Sequence, residues 1–264
     1  MDNYISSTKN QKIKNLKKLN ETKYRLKTDM FLVEGKKCIE EATLVENLCI
    51  ELLILEEEEA KYFDLIQKVP NVTYVSSEVL KYISNSISPQ SIICVCNKKN
   101  LEIQSNSGLI IALDNISDPG NLGAIIRSAD AVDACEILLL NDCVDFLSPK
   151  VIRASMGSVF HLRIQKADKS KLHLLKENGY KIVGADIKGS ETFDYESENI
   201  CLIIGSEAHG ISEDIADDLD VSSFVEWPEK ISAKACEAFS GKKFLIKIER
   251  TEKKGEREIE FCEQ

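Results

Sequence analysis

Several features are absent from this sequence of 264 residues, and each absence excludes a class of protein. No apolar run approaches the roughly 18 residues that a membrane-spanning helix needs, so we expect no membrane partner. The N-terminus, MDNYISSTKNQKIK, lacks the apolar core of a secretory signal, which predicts a cytoplasmic location. The three histidines stand apart from the nine scattered cysteines. Because no zinc-type spacing is present, we expect no metal site and interpret the cysteines as small hydrophobic residues in a reducing compartment.

The sequence also lacks the basic excess that is typical of a general nucleic-acid-binding protein, since its net charge is −10. The charge is distributed unevenly, however. Residues 1–37 contain ten Lys and Arg against four Asp and Glu, which gives this segment a charge of +6. Such a segment either binds a phosphate backbone or forms the solvated face of a helix.

Apolar runs of strand length alternate with helical patterns along the chain. Among them, EEEEAKYFDLIQKV (56–69) predicts a helix and VFHLRI (159–164) predicts a strand, while Ser148 followed by Pro149 predicts the capped start of another helix. The pattern lapses into Asn, Lys, Ser and Gly at 98–107, which predicts a linker between two domains, 1–97 and 108–250, followed by a charged tail at 251–264. After the linker the strands are uniformly apolar and separated by helices. This arrangement predicts a mostly parallel sheet that is covered on both faces.

The stretch DNISDPGNLGAIIRSADA (114–131) places a Pro-Gly turn between a buried strand and a helix. It lacks the G-x-G-x-x-G spacing of a dinucleotide-binding turn, and no Walker A loop is present. Asn121 lies near the helix start, and Arg127 lies about two turns into the helix. The rigid guanidinium of Arg127 could bind a phosphate or ribose, or it could form an ordinary surface ion pair.

A second polar stretch, CLIIGSEAHGIS (201–212), follows a buried strand. Ligands of parallel sheets usually bind where strands end, and Gly205 would allow a ligand to approach the backbone closely. Glu207 could point into that cleft or could serve as a helix-start acid. His209 is a candidate acid–base group, although a lone loop histidine is more often a bystander.

These two stretches resemble the first two signature motifs of the SpoU (TrmH-like) RNA 2′-O-ribose methyltransferases of the SPOUT superfamily. The N-terminal segment NQKIKNLKKLNETKYRLKTDMFLVEGKKCIEEA is similar to the RNA-binding domain that often precedes them, and SPQSIICVC (88–96) matches how that domain ends. The resemblance covers about residues 5–228.

The resemblance implies an α/β fold in which a smaller, ribosomal-protein-like α/β/α RNA-binding domain precedes a trefoil-knot methyltransferase domain with a mostly parallel sheet. It implies S-adenosylmethionine as the cofactor, the ribose 2′-hydroxyl of structured RNA as the substrate, with rRNA as the first candidate, and a homodimer. The RNA-binding candidates on the basic N-terminal segment are Lys12, Lys14, Lys17, Lys18, Lys23 and Arg25.

The resemblance also implies roles for the motif residues. Arg127 would lie over the RNA ribose and phosphate and help the 2′-hydroxyl to lose its proton. Asn121 would hold neighbouring loops or the substrate, and Glu207 would orient Arg127 or its own loop. Gly205 would let the cofactor lie against the backbone.

The family's third motif is altered in this sequence, which reads VEWPEKISAKACEAFSGKKFLIKIER. The best placement assigns cofactor contacts to Trp227 and Ile231, and it puts Ser232 at the position of a catalytic asparagine. This departure motivates an alternative hypothesis, a non-catalytic RNA-binding protein on a SPOUT scaffold that has lost cofactor binding. An α/β domain for an unrelated small ligand is the third hypothesis.

Overall fold

The computed structural model describes residues 3–103, 108–186, 199–224, 244–245 and 262–263. Most of these residues belong to two β-sheets and the helices that cover them. No helix in these ranges has the length and apolar character needed to cross a lipid bilayer.

The first sheet has five strands in the order β1-β4-β3-β5-β2. β1, β4 and β3 pair in parallel, whereas β5 pairs antiparallel with β3 and β2. The strands are β1 (Tyr4–Ile5), β2 (Met30–Glu34), β3 (Cys49–Leu55), β4 (Asn71–Val75) and β5 (Ile92–Asn97). The α-helices of this half are α1 (Gln11–Lys18), α2 (Thr22–Thr28), α3 (Lys36–Ala42), α4 (Phe63–Ile66) and α5 (Ser77–Ile83).

Helix α1 covers one face of this sheet. Asn10 caps its start, because the Asn10 side chain accepts a hydrogen bond from the Lys12 backbone N–H at 2.9 Å. The helical spacing of Ile13 and Leu16 turns both side chains into the apolar cluster under the helix, where Leu19 joins them. The lysines between them are thereby left on the outer faces.

The second sheet has six strands in the order β11-β9-β10-β6-β7-β8, and every pairing is parallel. The strands are β6 (Ile110–Asp114), β7 (Glu136–Leu140), β8 (Arg163–Lys166), β9 (Lys181–Asp186), β10 (Ile200–Ile204) and β11 (Val221–Phe224). The helices are α6 (Pro119–Ala131), α7 (Pro149–Ala154), α8 (Lys169–Glu177) and α9 (Glu213–Ala216). A short antiparallel pair, β12 (Phe244–Leu245) and β13 (Cys262–Glu263), follows.

Both faces of the second sheet are covered. Along β6, Ile111 and Leu113 belong to one buried cluster, while Ile110 and Ala112 belong to another. Alternate side chains of a strand point to opposite faces, so uniformly apolar strands require a cover on each side. The predicted α/β fold with a parallel sheet is confirmed.

Two predicted elements differ from the structure. The helix expected from Glu56 onward begins as a 3₁₀ helix, Glu56–Tyr62, and becomes α-helical only over Phe63–Ile66. Tertiary contacts hold this segment: the Tyr62 hydroxyl lies 2.6 Å from the Ser91 Oγ, and the Tyr74 hydroxyl donates to Glu59 at 2.7 Å. The strand expected over 159–164 begins at Arg163, because Ser158–Phe160 forms a 3₁₀ turn. Burial alone does not distinguish such a turn from a strand.

Arg25 joins the two sheets, which corrects its assignment to RNA binding. Its side chain is 4% exposed, and its guanidinium pairs with Asp145 Oδ2 at 2.7 Å. It also donates to the Leu19 carbonyl at 2.7 Å and to the Thr22 Oγ1 at 2.9 Å. With these donors engaged away from solvent, the guanidinium is a structural cation.

The domain boundaries, the knot and the dimer stay predictions. The first sheet ends at Asn97 and the second begins at Ile110, but residues 104–107 of the expected linker lie outside the described residues. The segment expected to thread the knot lies beyond Phe224, also outside them. Of the charged tail, the structure describes β13 alone.

We expect a pH-dependent contact at His161, which lies between α6 and α3. Its Nδ1 is 2.9 Å from Asp130 Oδ2, and its Nε2 is 3.1 Å from Glu41 Oε2. The hydrogen bond to Asp130 raises the pKa of His161 above 6.5, and Glu41 adds to this effect against partial desolvation. The stabilisation is therefore complete below pH 6.5 and is lost as the pH rises through the raised pKa.

Thermal unfolding of the wild type and of His161→Gln checks this expectation. The difference in Tm should be larger at pH 5.5 than at pH 9, and His209→Gln, which changes an exposed ring, should show no such trend. An equal difference at both pH values would contradict it.

Candidate active site

The two sequence motifs meet at one edge of the second sheet. β6 and β10 are neighbours in parallel register, with Ile203 opposite Ala112 and Ile204 opposite Leu113. The chain therefore leaves both strands on the same side, at their carboxyl ends. This is the edge at which ligands of open α/β sheets bind.

The first motif positions Asn121 through the start of α6. Asp118 caps the helix by accepting a hydrogen bond from the Asn121 backbone N–H at 2.9 Å, and Pro119 occupies the first helical turn. The Asn121 side chain then donates from Nδ2 to Glu207 Oε1 at 2.9 Å. This contact joins the first motif to the second across 86 positions of sequence.

The second motif forms a tight loop whose two ends touch. The Ser206 N–H donates to the Gly210 carbonyl at 3.0 Å, and the Gly210 N–H donates to the Ser206 carbonyl at 2.8 Å. A Cβ on Gly205 would lie 2.1 Å from the Gly210 carbonyl carbon, so this closure requires glycine at position 205. Glu207 and His209 lie exposed at the tip.

Arg127 lies six residues beyond Asn121, about 9 Å further along the axis of α6. Its side chain is half-buried, and within the part of the chain that the structure describes no hydrogen bond or ion pair engages its guanidinium. The structure therefore brings Asn121 and Glu207 together but does not bring Arg127 into contact with them. The role of Glu207 in orienting Arg127 stays a prediction.

Sequence analysis missed Asp114, which closes β6 and is fully buried. Its carboxylate accepts hydrogen bonds from Asn141 Nδ2 at 2.7 Å and from the Ser212 backbone N–H at 2.7 Å. The signal was present, since a carboxylate ends the apolar strand LIIALD. The two partners were not recognisable, because they follow other strands.

Cys143 lies beside this edge and is a neutral, structural thiol. Its Sγ lies 3.2 Å from the Leu113 carbonyl and 3.1 Å from the Leu140 carbonyl, between the ends of β6 and β7. Burial raises the pKa of Cys143, and the nearby Asp114 carboxylate raises it further. A nucleophilic role would require the thiolate, which this environment disfavours.

Three further thiols cluster in the first sheet, those of Cys49, Cys94 and Cys96, whose Sγ atoms all lie within 4.8 Å of one another. The sequence spacing did not predict this grouping. Burial raises the pKa of Cys94 and Cys96 well above the ordinary value. Hydrogen bonds with Cys94 and Cys96 instead lower the pKa of Cys49 to about 4. Metal ligation would require all three thiolates, and burial disfavours this form for Cys94 and Cys96.

The predicted RNA-binding lysines lie on α1 and α2. Lys12 pairs with Glu51, and Lys17 donates to the Ser84 carbonyl at 3.3 Å. Lys18 and Lys23 lie over the Tyr24 ring, with their Nζ atoms 5.5 Å and 4.9 Å from its centroid, and Lys14 is exposed. Lys12, Lys14, Lys18 and Lys23 are exposed, and these four lysines of α1 and α2 are named the basic surface below.

Three predicted residues have no described position. Trp227 and Ile231, assigned to the cofactor, and Ser232, assigned to catalysis, lie outside the described residues. Their roles stay predictions.

Comparisons with known proteins agree with this geometry. The model of the SpoU rRNA Methylase family matches residues 108–233, and the model of the MRM3-like substrate binding domain matches residues 10–94. A relative, 23S rRNA (guanosine(2553)-2′-O)-methyltransferase RlmP of Bacillus subtilis, is 29% identical over 84% of this chain and 89% of its own length.

Solved structures give the same result. An AdoMet-bound rRNA methyltransferase from Sinorhizobium meliloti superposes with a TM-score of 0.74 at 25% identity, over 89% of this chain and 95% of that one. An RNA 2′-O ribose methyltransferase superposes with a TM-score of 0.70 at 29% identity, over 90% of this chain and 95% of that one. Residues 108–233 of the chain therefore belong to the SpoU rRNA methylase family.

Proposed function

We propose that this protein transfers a methyl group from S-adenosylmethionine to a ribose 2′-hydroxyl of structured RNA, with rRNA as the substrate. The observation that carries the proposal is the 2.9 Å contact between Asn121 and Glu207, which assembles the two motifs at the carboxyl edge of the sheet. The names of the similar proteins, an rRNA 2′-O-methyltransferase and an AdoMet-bound rRNA methyltransferase, support the same reaction. The homodimer and the cytoplasmic location are part of this proposal and rest on the resemblance and on the sequence.

The cofactor fits the loop that begins at Gly205. This loop lies at the ligand-binding edge of the sheet, and its backbone closure between Ser206 and Gly210 gives it a fixed shape. When bound, S-adenosylmethionine supplies a methyl group on a positively charged sulfur that departs as a neutral thioether. A good leaving group reduces the need for a strong base, so the protein's main contribution is to orient the 2′-oxygen and exclude water.

Arg127 supplies the fixed positive charge that this reaction uses. As the 2′-hydroxyl loses its proton, negative charge develops on its oxygen, and a guanidinium nearby stabilises that charge. A half-buried guanidinium without a partner among the described residues is available for this task and for the adjoining phosphate. Asn121 and Glu207 hold each other and thereby fix the two loops around the reacting groups.

The basic surface of α1 and α2 binds the RNA backbone. Ile13 and Leu16 anchor α1 to the sheet, and Lys14 and Lys18 of the same helix are exposed. Phosphate contacts of this kind add affinity and fix orientation without reading the base sequence. Arg25 does not belong to this surface, since it is buried against Asp145.

Calorimetric titration of the purified protein with S-adenosylmethionine and S-adenosylhomocysteine tests the cofactor. We expect a dissociation constant in the micromolar range, which corresponds to a binding free energy on the order of −8 kcal/mol at 25 °C. Circular dichroism of the same sample is the control that checks whether the protein is folded. A folded protein that binds neither compound would overturn the proposed activity and favour the non-catalytic RNA-binding alternative.

Substitution of Arg127 tests the catalytic assignment. Arg127→Ala should reduce methyl transfer to a 23S rRNA transcript by at least about 100-fold, the usual effect of removing a group that stabilises developing charge. RNA affinity and cofactor affinity should stay within a few fold of the wild type. Arg163→Ala, which removes a half-exposed arginine from β8, serves as the matched control. Full activity of Arg127→Ala would contradict the assignment.

The salt dependence of RNA binding tests the basic surface. The double variant Lys14→Ala, Lys18→Ala should weaken binding to the 23S rRNA transcript and lower the slope of log affinity against log salt by up to about 2. Lys68→Ala, another exposed lysine, should leave the slope unchanged. An unchanged slope in the double variant, or an equal loss in the control, would show that RNA binds elsewhere.

A further inference from the structure

Asp114 is the fully buried carboxylate at the point where the proposed active site meets the sheet. Its Oδ1 accepts hydrogen bonds from Asn141 Nδ2 at 2.7 Å and from Asn115 Nδ2 at 3.0 Å. Its Oδ2 accepts a hydrogen bond from the Ser212 backbone N–H at 2.7 Å. All three donors are neutral, and each belongs to a different loop.

These three loops surround the carboxyl edge. Asn115 begins the loop from β6 to α6, Asn141 begins the loop from β7 to α7, and Ser212 ends the loop from β10 to α9. Asn141 Nδ2 also lies 3.3 Å from the Ser212 Oγ, so the second and third loops touch directly. One side chain therefore connects both sequence motifs to each other and to a third segment.

The backbone at two of these positions is constrained. Asn115 has a φ of +57° and Asn141 has a φ of +49°, the left-handed region that costs energy for residues other than glycine. Asparagine tolerates this region best when its side chain forms local hydrogen bonds. The Asp114 carboxylate accepts a local hydrogen bond from Asn115 and a long-range one from Asn141, so it connects both loop conformations to the end of β6.

Fold stability alone does not account for this carboxylate. Burying a charge is costly, and an apolar residue at the end of β6 would suit the sheet without that penalty. The contacts of Asp114 are made to loops, whereas its strand is already secured by β7 and β10. The three hydrogen bonds offset part of this penalty, and they connect the three loops to the end of β6.

We infer that Asp114 is the positioning residue of the cofactor site: it holds the loop after β10 in the shape that S-adenosylmethionine requires. The inference rests on the proposed function. The Asn121–Glu207 contact joins the two motifs at the exposed tip, and Asp114 joins them at the buried base, 98 positions from Ser212. Without Asp114, the Asn121–Glu207 hydrogen bond alone would have to hold the loop that follows β10. Asp114 acts through the loops and does not touch the reacting atoms.

Titration of three proteins with S-adenosylhomocysteine tests this role. Asp114→Asn keeps the size of the side chain but turns an N–H₂ group toward donors, so we expect at least a tenfold loss of affinity. The matched control is Glu136→Gln, which neutralises a second buried carboxylate of the same sheet. Glu136 lies at the amino end of β7, where it contacts Arg163 and Gln165, so its loss should leave affinity within twofold.

A double variant separates positioning from general destabilisation. Asp114→Asn combined with Asn141→Asp exchanges donor and acceptor across the same contact, and we expect it to recover a measurable part of the lost affinity. If Asp114→Asn does not fold, Asn141→Ala leaves the carboxylate in place and should still weaken binding. The Tm of each variant is measured as well, so that its loss of affinity can be compared with its loss of stability.

The outcomes are distinct. Wild-type affinity in Asp114→Asn, or in Asn141→Ala where the first variant does not fold, would overturn the inference. An equal loss in Glu136→Gln would also overturn it, since the effect would then follow from destabilising the sheet. Absence of binding to the wild-type protein would overturn the proposed function and this inference with it.

Discussion

The parallel pairing of β6 with β10 is the constraint on which the site depends. It places the loops that follow Asp114 and Ile204 side by side, although these residues are far apart in the chain. Everything at the proposed site then uses this adjacency: the Asn121–Glu207 hydrogen bond at the tip and the Asp114 contacts at the base. An antiparallel neighbour would have sent one loop to the opposite edge.

The second constraint is the attachment of the first sheet to the second. Arg25 and Asp145 form a nearly buried ion pair across 120 positions, and Arg153 reaches Glu34 at 3.4 Å. Ion pairs removed from water add little net stability, but their geometry is specific. These contacts fix the direction of α1 and α2 relative to the carboxyl edge of the second sheet.

Much of the site and fold could be predicted, and the failures have identifiable causes. Ser148 followed by Pro149 predicted a capped helix start, and the Ser148 side chain accepts from the Val151 N–H as expected. The motif placed Asn121 correctly at the start of α6. Arg25 was assigned wrongly because a cation in a basic segment gives no local sign that its partner lies elsewhere. Asp114 was overlooked because its partners follow other strands.

The sequence by itself determined most of the strands and helix starts and the presence of two family motifs. These follow from apolar periodicity, capping residues and turn chemistry, which act over a few neighbouring positions. Only the tertiary structure decided which loops meet, which carboxylate is buried among them and which arginine is withdrawn from solvent. Such contacts depend on strand order and on residues about 86 to 120 positions apart, and short-range preferences do not specify them.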